Sequence, residues 1–340
     1  MSARLIIPLL FLLLSACAEQ RSGTEIHELT GQTMGTSFSI KLVAPEDDFD
    51  KALLAERVHA ILNRVNSRMS TWQSDSELSL FNANASTDWI DTSAEFCGVL
   101  ESALAISNHT AGAFDITVGP FVNLWGFGPD ENVTPEPPSD ELITGAGKRV
   151  GYRKLQTDCG IPAVRKSQED VYIDLSAIAK GYAVDQIANE LDERGLANYL
   201  IEIGGELRMR GHNASDANWA IAIEKPADLE RAVQLIVNLT NQAMATSGDY
   251  RNFFEFRGER FSHTIDSRTG RPVTHRGAAV TVISKSAAEA DALATALLVL
   301  GPEAGYAFAE KERIAAYFLL RDESRIEEKM TSTFAALQKT

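Results

Sequence analysis

From residue 29 to residue 320 the chain runs without an obvious linker, and along it short period-two segments trade places with amphipathic helical ones. A chain of that kind must build one body in which sheet and helices share a core. Phe38–Leu42 alternates and reads as a strand. Asp50–Met69 sets Leu54, Val58, Ile61, Leu62, Val65 and Met69 at helical spacing, with its charged residues on the solvated face. Ala94–Thr110 reads as a second helix ending at Gly112. A surface loop at 129–140, rich in proline and acids, precedes a third helix at Glu141–Lys148. Val171–Ile173 reads as a strand running into a helix at Ala177–Arg194, with Ser176 as its cap and Gly195 closing it. Tyr199–Ile203 and Glu206–Arg210 are strands interrupted by Gly204-Gly205. Further strands are expected at Ala220–Ile223, Gln234–Leu239, Phe253–Phe256 and Ala278–Ser284. A capping box, Ser286 to Glu289, starts a helix at Ala287–Leu300 that Gly301 closes. Ile314–Leu320 is the last strand, and residues after Arg321 read as peripheral. No regular strand–helix–strand series emerges. The expected fold class is α+β, with mixed, largely antiparallel sheets and packed helices.

The first residues read as an address. Arg4 precedes an apolar stretch, Leu5–Leu14, too short to span a bilayer, and Leu14-Ser15-Ala16-Cys17 follows. This resembles a bacterial lipobox, so residues 1–16 are expected as a cleaved signal peptide and 17–28 as a tether lipidated on Cys17. Acyl chains add about 0.8 kcal/mol per buried CH₂ and would anchor the chain. Cleavage takes away Arg4 and moves the formal charge from −15 to −16, so anionic headgroups would not hold the body and the lipid must. The same acidity, with 47 Asp and Glu against 32 Lys and Arg, argues against a nucleic-acid partner. Cys97 and Cys159 have neither zinc spacing nor a CxxC pattern. They could pair outside the cytoplasm, but nothing in the sequence brings them together, and buried free thiols are the expectation.

Four polar islands stand out. Gly31 to Thr36 places two glycines before the first strand, where a plain turn and a close approach to a ligand are both open. Gly112–Pro120 with Asn123–Gly128 interleaves glycines and aromatics, which suits a flat ring lying on backbone, with Asp115 able to bond its edge. Asp174–Asp185 brings a helix start, with its spare N–H groups, next to Lys180, a pairing suited to an anion. His263–Pro272 is a polar turn, and Asp291 and Thr295, four apart on an otherwise apolar helix, present two oxygens to one face. A hard cation such as Mg²⁺ would satisfy them; the plainer reading has Thr295 bonding its own backbone and Asp291 facing water. Gly145-Ala-Gly147-Lys148 lacks the spacing and the Ser/Thr of a P-loop and is set aside.

Taken in order, Gly31–Thr36, Phe114–Gly128, Asp174–Asp185, Glu202–Glu206, Ala245–Tyr250, His263–Pro272 and Ala290–Thr295 resemble the ApbE family of FAD:protein FMN transferases. The resemblance implies an enzyme that uses FAD and Mg²⁺. Met34, Ala113, Phe114, Asp115, Asp174, Lys180 and Ile265 would contact FAD. Trp72 stands where many relatives carry Tyr: its ring can stack on flavin or adenine, but the phenol's hydrogen bond is gone. The Ala177 carbonyl, Asp291 and Thr295 would hold Mg²⁺. The reaction would move the FMN half of FAD to a Thr or Ser hydroxyl of a target protein and release AMP. His263 is the expected base by residue type, with Asp266 next, against a purely structural histidine. Two alternatives stay open: an Mg²⁺-dependent FAD pyrophosphatase on the same site, and a non-catalytic FAD-binding lipoprotein. By the family analogy the targets are subunits of Na⁺-pumping quinone reductases or Rnf-type complexes. The location would be the periplasmic side of a bacterial membrane, the inner one favoured.

Overall fold

The computed structural model describes residues 25–44, 49–129, 136–226, 232–250, 252–322 and 325–338. The leader, Cys17 and the first part of the tether lie outside them. The chain runs β1 (Glu25–Thr33), β2 (Thr36–Ala44), α1 (Lys51–Met69), α2 (Glu77–Ala83), β3 (Ile90–Asp91) and α3 (Ala94–His109). It continues through α4 (Gly119–Leu124), α5 (Asp140–Gly147), β4 (Leu155–Asp158), β5 (Ala163–Lys166), α6 (Ala179–Glu193), β6 (Tyr199–Ile203) and β7 (Glu206–Arg210). Next come β8 (Trp219–Glu224), β9 (Val233–Leu239), β10 (Gln242–Gly248), β11 (Phe253–Phe256), β12 (Glu259–Ser262), β13 (Ile265–Asp266) and β14 (Arg271–Pro272). The last are β15 (Gly277–Ser284), α7 (Ala287–Lys311), β16 (Ala315–Asp322), β17 (Arg325–Met330) and α8 (Ser332–Leu337).

The main sheet has eight strands in the order β1-β2-β6-β7-β10-β15-β16-β17. Each neighbouring pair is antiparallel. β15 reads GAAVTVIS and is buried on both faces, as a central strand must be. Val280 and Val282 face α7 in one core, while Ala279 and Ile283 face the β8–β9 hairpin and α8 in another. Ile40, Leu42, Ile201 and Ile203 carry a third core under α1, α3 and α6. A fourth cluster, around Phe121, Trp125 and Ile143, joins α4 and α5 to the β11–β12 hairpin. The expected α+β class with antiparallel sheets is therefore the observed one.

Several boundaries differ from the sequence reading. Residues 25–28, expected in the tether, belong to β1, which pairs with β2 along its full length. Val171–Ile173 joins no sheet among the described residues. The Asn82 side chain takes the place of a strand partner, accepting from Ile173 N and donating to Ile173 O, each at 2.8 Å. α6 starts at Ala179, and Ser176 does not cap it: the Ser176 amide and hydroxyl both bond Asp174 in a local turn. Gly301, with φ at +82°, breaks α7, but Pro302 restarts it and the helix runs on to Lys311. Residues after Arg321 are not peripheral: β17 pairs with β16, and Phe334 of α8 is fully buried against Tyr317. Gly145–Lys148 forms the end of α5, so no helix N-terminus is there to hold a phosphate.

The largest correction concerns the cysteines. Cys97 on α3 and Cys159 after β4 form a disulfide with Cα atoms 5.7 Å apart, so the expectation of free thiols is wrong. α3 packs on β4, which brings together residues 62 positions apart; nothing local in the sequence signals that contact.

Candidate active site

A cavity of about 840 Å³ opens among the sheet, the N-terminal end of α6, the first turns of α7, the loop before α4 and the β8 strand. Trp72, Ala113, Phe114, Asp115, Asp174, Ala177, Lys180, His263, Ile265, Asp291 and Thr295 all line it. Met34 does not: it sits at φ +49° in the β1–β2 turn and packs on the core, while Thr36 and Ser37 form that part of the wall. Trp72 is 65% exposed at the rim, free to cover a ring.

The floor is built by the crossing of α6 and α7. A side chain on Gly181 would meet the Ala287 carbonyl at 2.3 Å, so only glycine lets the helices approach this closely. The Asp185 carboxylate, one turn further on, accepts from Ser286 Oγ and from the Ala287 and Ala288 amides, and pairs with Arg208. It thereby caps α7 and fixes the helix that carries Asp291. Asp291, 3% exposed, accepts from Gly181 N at 3.2 Å. That amide is given to Asp291 and not to the Ala177 carbonyl four residues earlier. Thr295 Oγ1 lies 2.9 Å from Ser247 Oγ, so the reading in which Thr295 bonds its own backbone and Asp291 faces water does not hold.

Lys180 Nζ sits 3.3 Å from Glu206 Oε1 and 3.7 Å from Asp291 Oδ2. Burial works against its charge, but the two carboxylates outweigh it and hold the ammonium above the ordinary lysine range. Burial pushes Glu206 up, as does the charge of Asp291, against the pull of Lys180. Glu206 Oε2 is buried with no hydrogen-bond partner among the described residues, which is costly for a carboxylate oxygen. Burial likewise raises Asp291, against Lys180 and the Gly181 amide. One ammonium cannot balance two buried carboxylates, and further positive charge or a proton is called for.

That imbalance fits a hard cation. Asp291, Thr295 Oγ1 and the Ala177 carbonyl are oxygen donors on one cavity. Among the described residues no three His, Cys, Asp or Glu side chains converge to hold a metal ion by themselves. These three oxygens would supply part of a coordination shell, which fits a hard cation such as Mg²⁺ whose remaining ligands come from elsewhere.

His263 approaches from the β11–β12 side. Its Nδ1 lies 2.9 Å from the Asn252 carbonyl, which can only accept, so Nδ1 carries the proton and Nε2 keeps its lone pair. Burial lowers its pKa, helped by the Lys180 charge and opposed by the Asn252 carbonyl. Asp266 is spent on Arg268, which binds both its oxygens, and it does not reach the cavity wall. Asp115 is also engaged: its Oδ1 accepts from Thr117 N and Oγ1, and its Oδ2 from Tyr152 N. Burial raises its pKa. Asp115 thus holds the shape of the loop before α4. Glu206 is a cavity carboxylate to which the sequence alone assigns no role. Its motif, Glu202–Glu206, was conspicuous, but only the fold shows that it meets Lys180.

The ApbE family model matches residues 34–318. The chain is 42% identical over 335 residues to the FAD:protein FMN transferase of Haemophilus influenzae, covering 96% of this chain and 95% of that protein. It is 38% identical over 302 residues to the protein of the same name from Escherichia coli K12, covering 88% and 85%. Among solved structures, the flavin transferase ApbE from Vibrio cholerae superposes with a TM-score of 0.85 at 40% identity, over 92% of this chain and 99% of that one. The ApbE protein of Thermotoga maritima gives 0.81 at 30% identity, over 92% and 99%.

Proposed function

The chain belongs to the ApbE family, and from that premise we propose that this flavin transferase moves the FMN moiety of FAD to a Thr or Ser hydroxyl of a target protein, with Mg²⁺, releasing AMP. The observation that carries the reading is one cavity wall holding both a half-buried Lys180 between two carboxylates and a histidine whose tautomer leaves Nε2 unprotonated.

The chemistry runs as a phosphoryl transfer. The acceptor oxygen attacks the phosphorus on the FMN side of the diphosphate. The P–O bond to the AMP phosphate breaks, and AMP leaves with the bridging oxygen. His263 Nε2 takes the proton of the attacking hydroxyl. Lys180 supplies a fixed positive charge toward the diphosphate. Asp291, Thr295 and the Ala177 carbonyl would hold the Mg²⁺, which would neutralise phosphate charge. Ala113, Phe114, Asp115, Asp174 and Ile265 would seat the flavin nucleotide, with Trp72 over a ring.

Mass spectrometry after mixing the protein with FAD, Mg²⁺ and a candidate subunit of a Na⁺-pumping quinone reductase or Rnf-type complex tests this. Gain of an FMN mass on the subunit is expected. Free FMN and AMP with every acceptor unmodified would instead make the chain a pyrophosphatase, and no turnover a flavin store. We place the protein on the periplasmic side of the membrane, the inner one favoured, held by lipid on Cys17 after loss of residues 1–16. The leader pattern supports that placement.

A further inference from the structure

Among the described residues β8 is bonded along one side only. Its register with β9 runs from Trp219 opposite Leu239 to Ile223 opposite Leu235. On its other side no backbone among the described residues pairs with Ala220, Ile221, Ala222 or Ile223. These four consecutive residues all line the transfer cavity. Successive residues of a strand point to opposite faces, so one cavity can touch all four only along the strand's edge.

The edge is backed by the core and uncharged from Ala220 to Ile223, with Glu224 at its end. Trp219, Ile221 and Ile223 are buried against the main sheet and hold the strand in place. Ala220 and Ala222 are exposed, and their methyl groups leave room beside the backbone. Proteins ordinarily guard an open edge with charge, proline or a bulge. From Ala220 to Ile223 there is no charge and no proline, and the register shift comes only between Ile223 and Glu224.

We propose that the acceptor docks here by strand addition: an extended segment of the target polypeptide pairs with the free edge of β8 and turns its hydroxyl side chain into the cavity toward His263. The inference rests on the transferase reading and says how its protein substrate is held. Main-chain hydrogen bonds supply affinity with little regard to sequence, while alternate side chains, about 6.6–6.8 Å apart, enter the cavity. Charge narrows the occupant further. The cavity wall sets Asp115, Asp174, Glu202, Glu206, Glu224 and Asp291 against Lys180, and the whole chain stands at −15. The segment therefore carries no net negative charge.

The test uses the wild-type protein and an acceptor that it modifies, scored by gain of FMN mass. A synthetic peptide centred on the modified hydroxyl residue is then made as a series, each member bearing one backbone N-methyl group. In a strand, neighbouring amides point to opposite sides, so only every second amide meets β8. The expected result is a KM for the peptide that rises roughly tenfold or more at every second position and stays flat between, about 1.4 kcal/mol per lost contact. Hydrogen exchange should show slowed amides within Ala220–Ile223 when the peptide is added. A profile without the two-residue period, protection elsewhere only, or a peptide left unmodified while the whole acceptor is modified would each overturn strand addition and leave the transferase standing. If no protein gains FMN at all, the transferase reading falls and this inference falls with it.

Discussion

The Gly181 amide and the Asp291 carboxylate meet at 3.2 Å across 110 residues of sequence. Together with the Asp185 bonds to the start of α7 and the Lys180–Asp291 pair, that contact ties the N-terminal end of α6 to the face of α7 that carries Asp291 and Thr295. Gly181→Ala should therefore separate the two helices. The added methyl group meets the Ala287 carbonyl, and backbone cannot yield as a flexible side chain can. Overpacking of this kind costs about 1–3 kcal/mol. Denaturant unfolding should show that loss, with a fall in transfer rate larger than the loss of stability explains.

Asp291→Ala should lower Mg²⁺-dependent turnover roughly a hundredfold or more, as expected for removal of one preorganised electrostatic group. Alanine is the better helix former, and α7 should stay folded by circular dichroism. Turnover that persists with the wild-type Mg²⁺ requirement would show that the cation lies elsewhere.

His263→Ala should slow transfer about 10²–10⁴-fold, the typical worth of a general base, with a much smaller effect on FAD affinity. The wild-type rate should fall with acid only below the ordinary histidine value of 6.5, because burial depresses the pKa of the ring. Between the depressed folded value and 6.5 the unfolded chain binds the proton and the folded chain does not, so stability rises with pH across that window and is lost as pH falls through the folded value. The Ala variant should lack that slope in unfolding curves measured from acid to neutral pH.

Replacing Cys97 and Cys159 together with Ser should lower stability by about 4 kcal/mol on the chain-entropy estimate for a loop of 62 residues. None of α3, β4 or β5 contributes to the transfer cavity. The reduced or Ser-substituted protein should thus unfold at lower denaturant while turning over at a wild-type rate below its transition.

Cys17→Ser should release the protein from membranes, since a hydroxyl cannot replace the thiol in lipidation, and leave its chemistry intact. Fractionation and a transfer assay on the soluble fraction check both halves. Continued membrane association would point to another anchor.

The parts of the fold that the sequence displays are those with strong periodicity. α1 shows its six buried residues at helical spacing, and α6 shows its Gly195 terminus, now seen at φ +74°. β1 was hidden because Glu25–Thr33 holds few apolar residues; its place is earned by pairing with β2. Ser176 misled because an Asp two residues back offers a competing turn. Gly301 looked like an end because the αL conformation it adopts is the common terminator, but Pro302 suits a new first turn. At the site, residue types located Lys180, His263, Asp291 and Thr295. The partner that tunes Lys180, Glu206, required knowing that β7 lies beside α6.

β1 begins at Glu25, eight residues beyond Cys17. A chain spans at most about 3.3–3.6 Å per residue, so lipid on Cys17 would leash the edge of the main sheet within about 30 Å of the bilayer. That leash is shorter than the body it holds, whose diameter for 340 residues is roughly 50 Å. The enzyme would then patrol a surface instead of a volume. Acceptors embedded in or resting on the same membrane would meet it at high local concentration, while a soluble protein with an equally good segment would encounter it only in the thin layer that the leash allows.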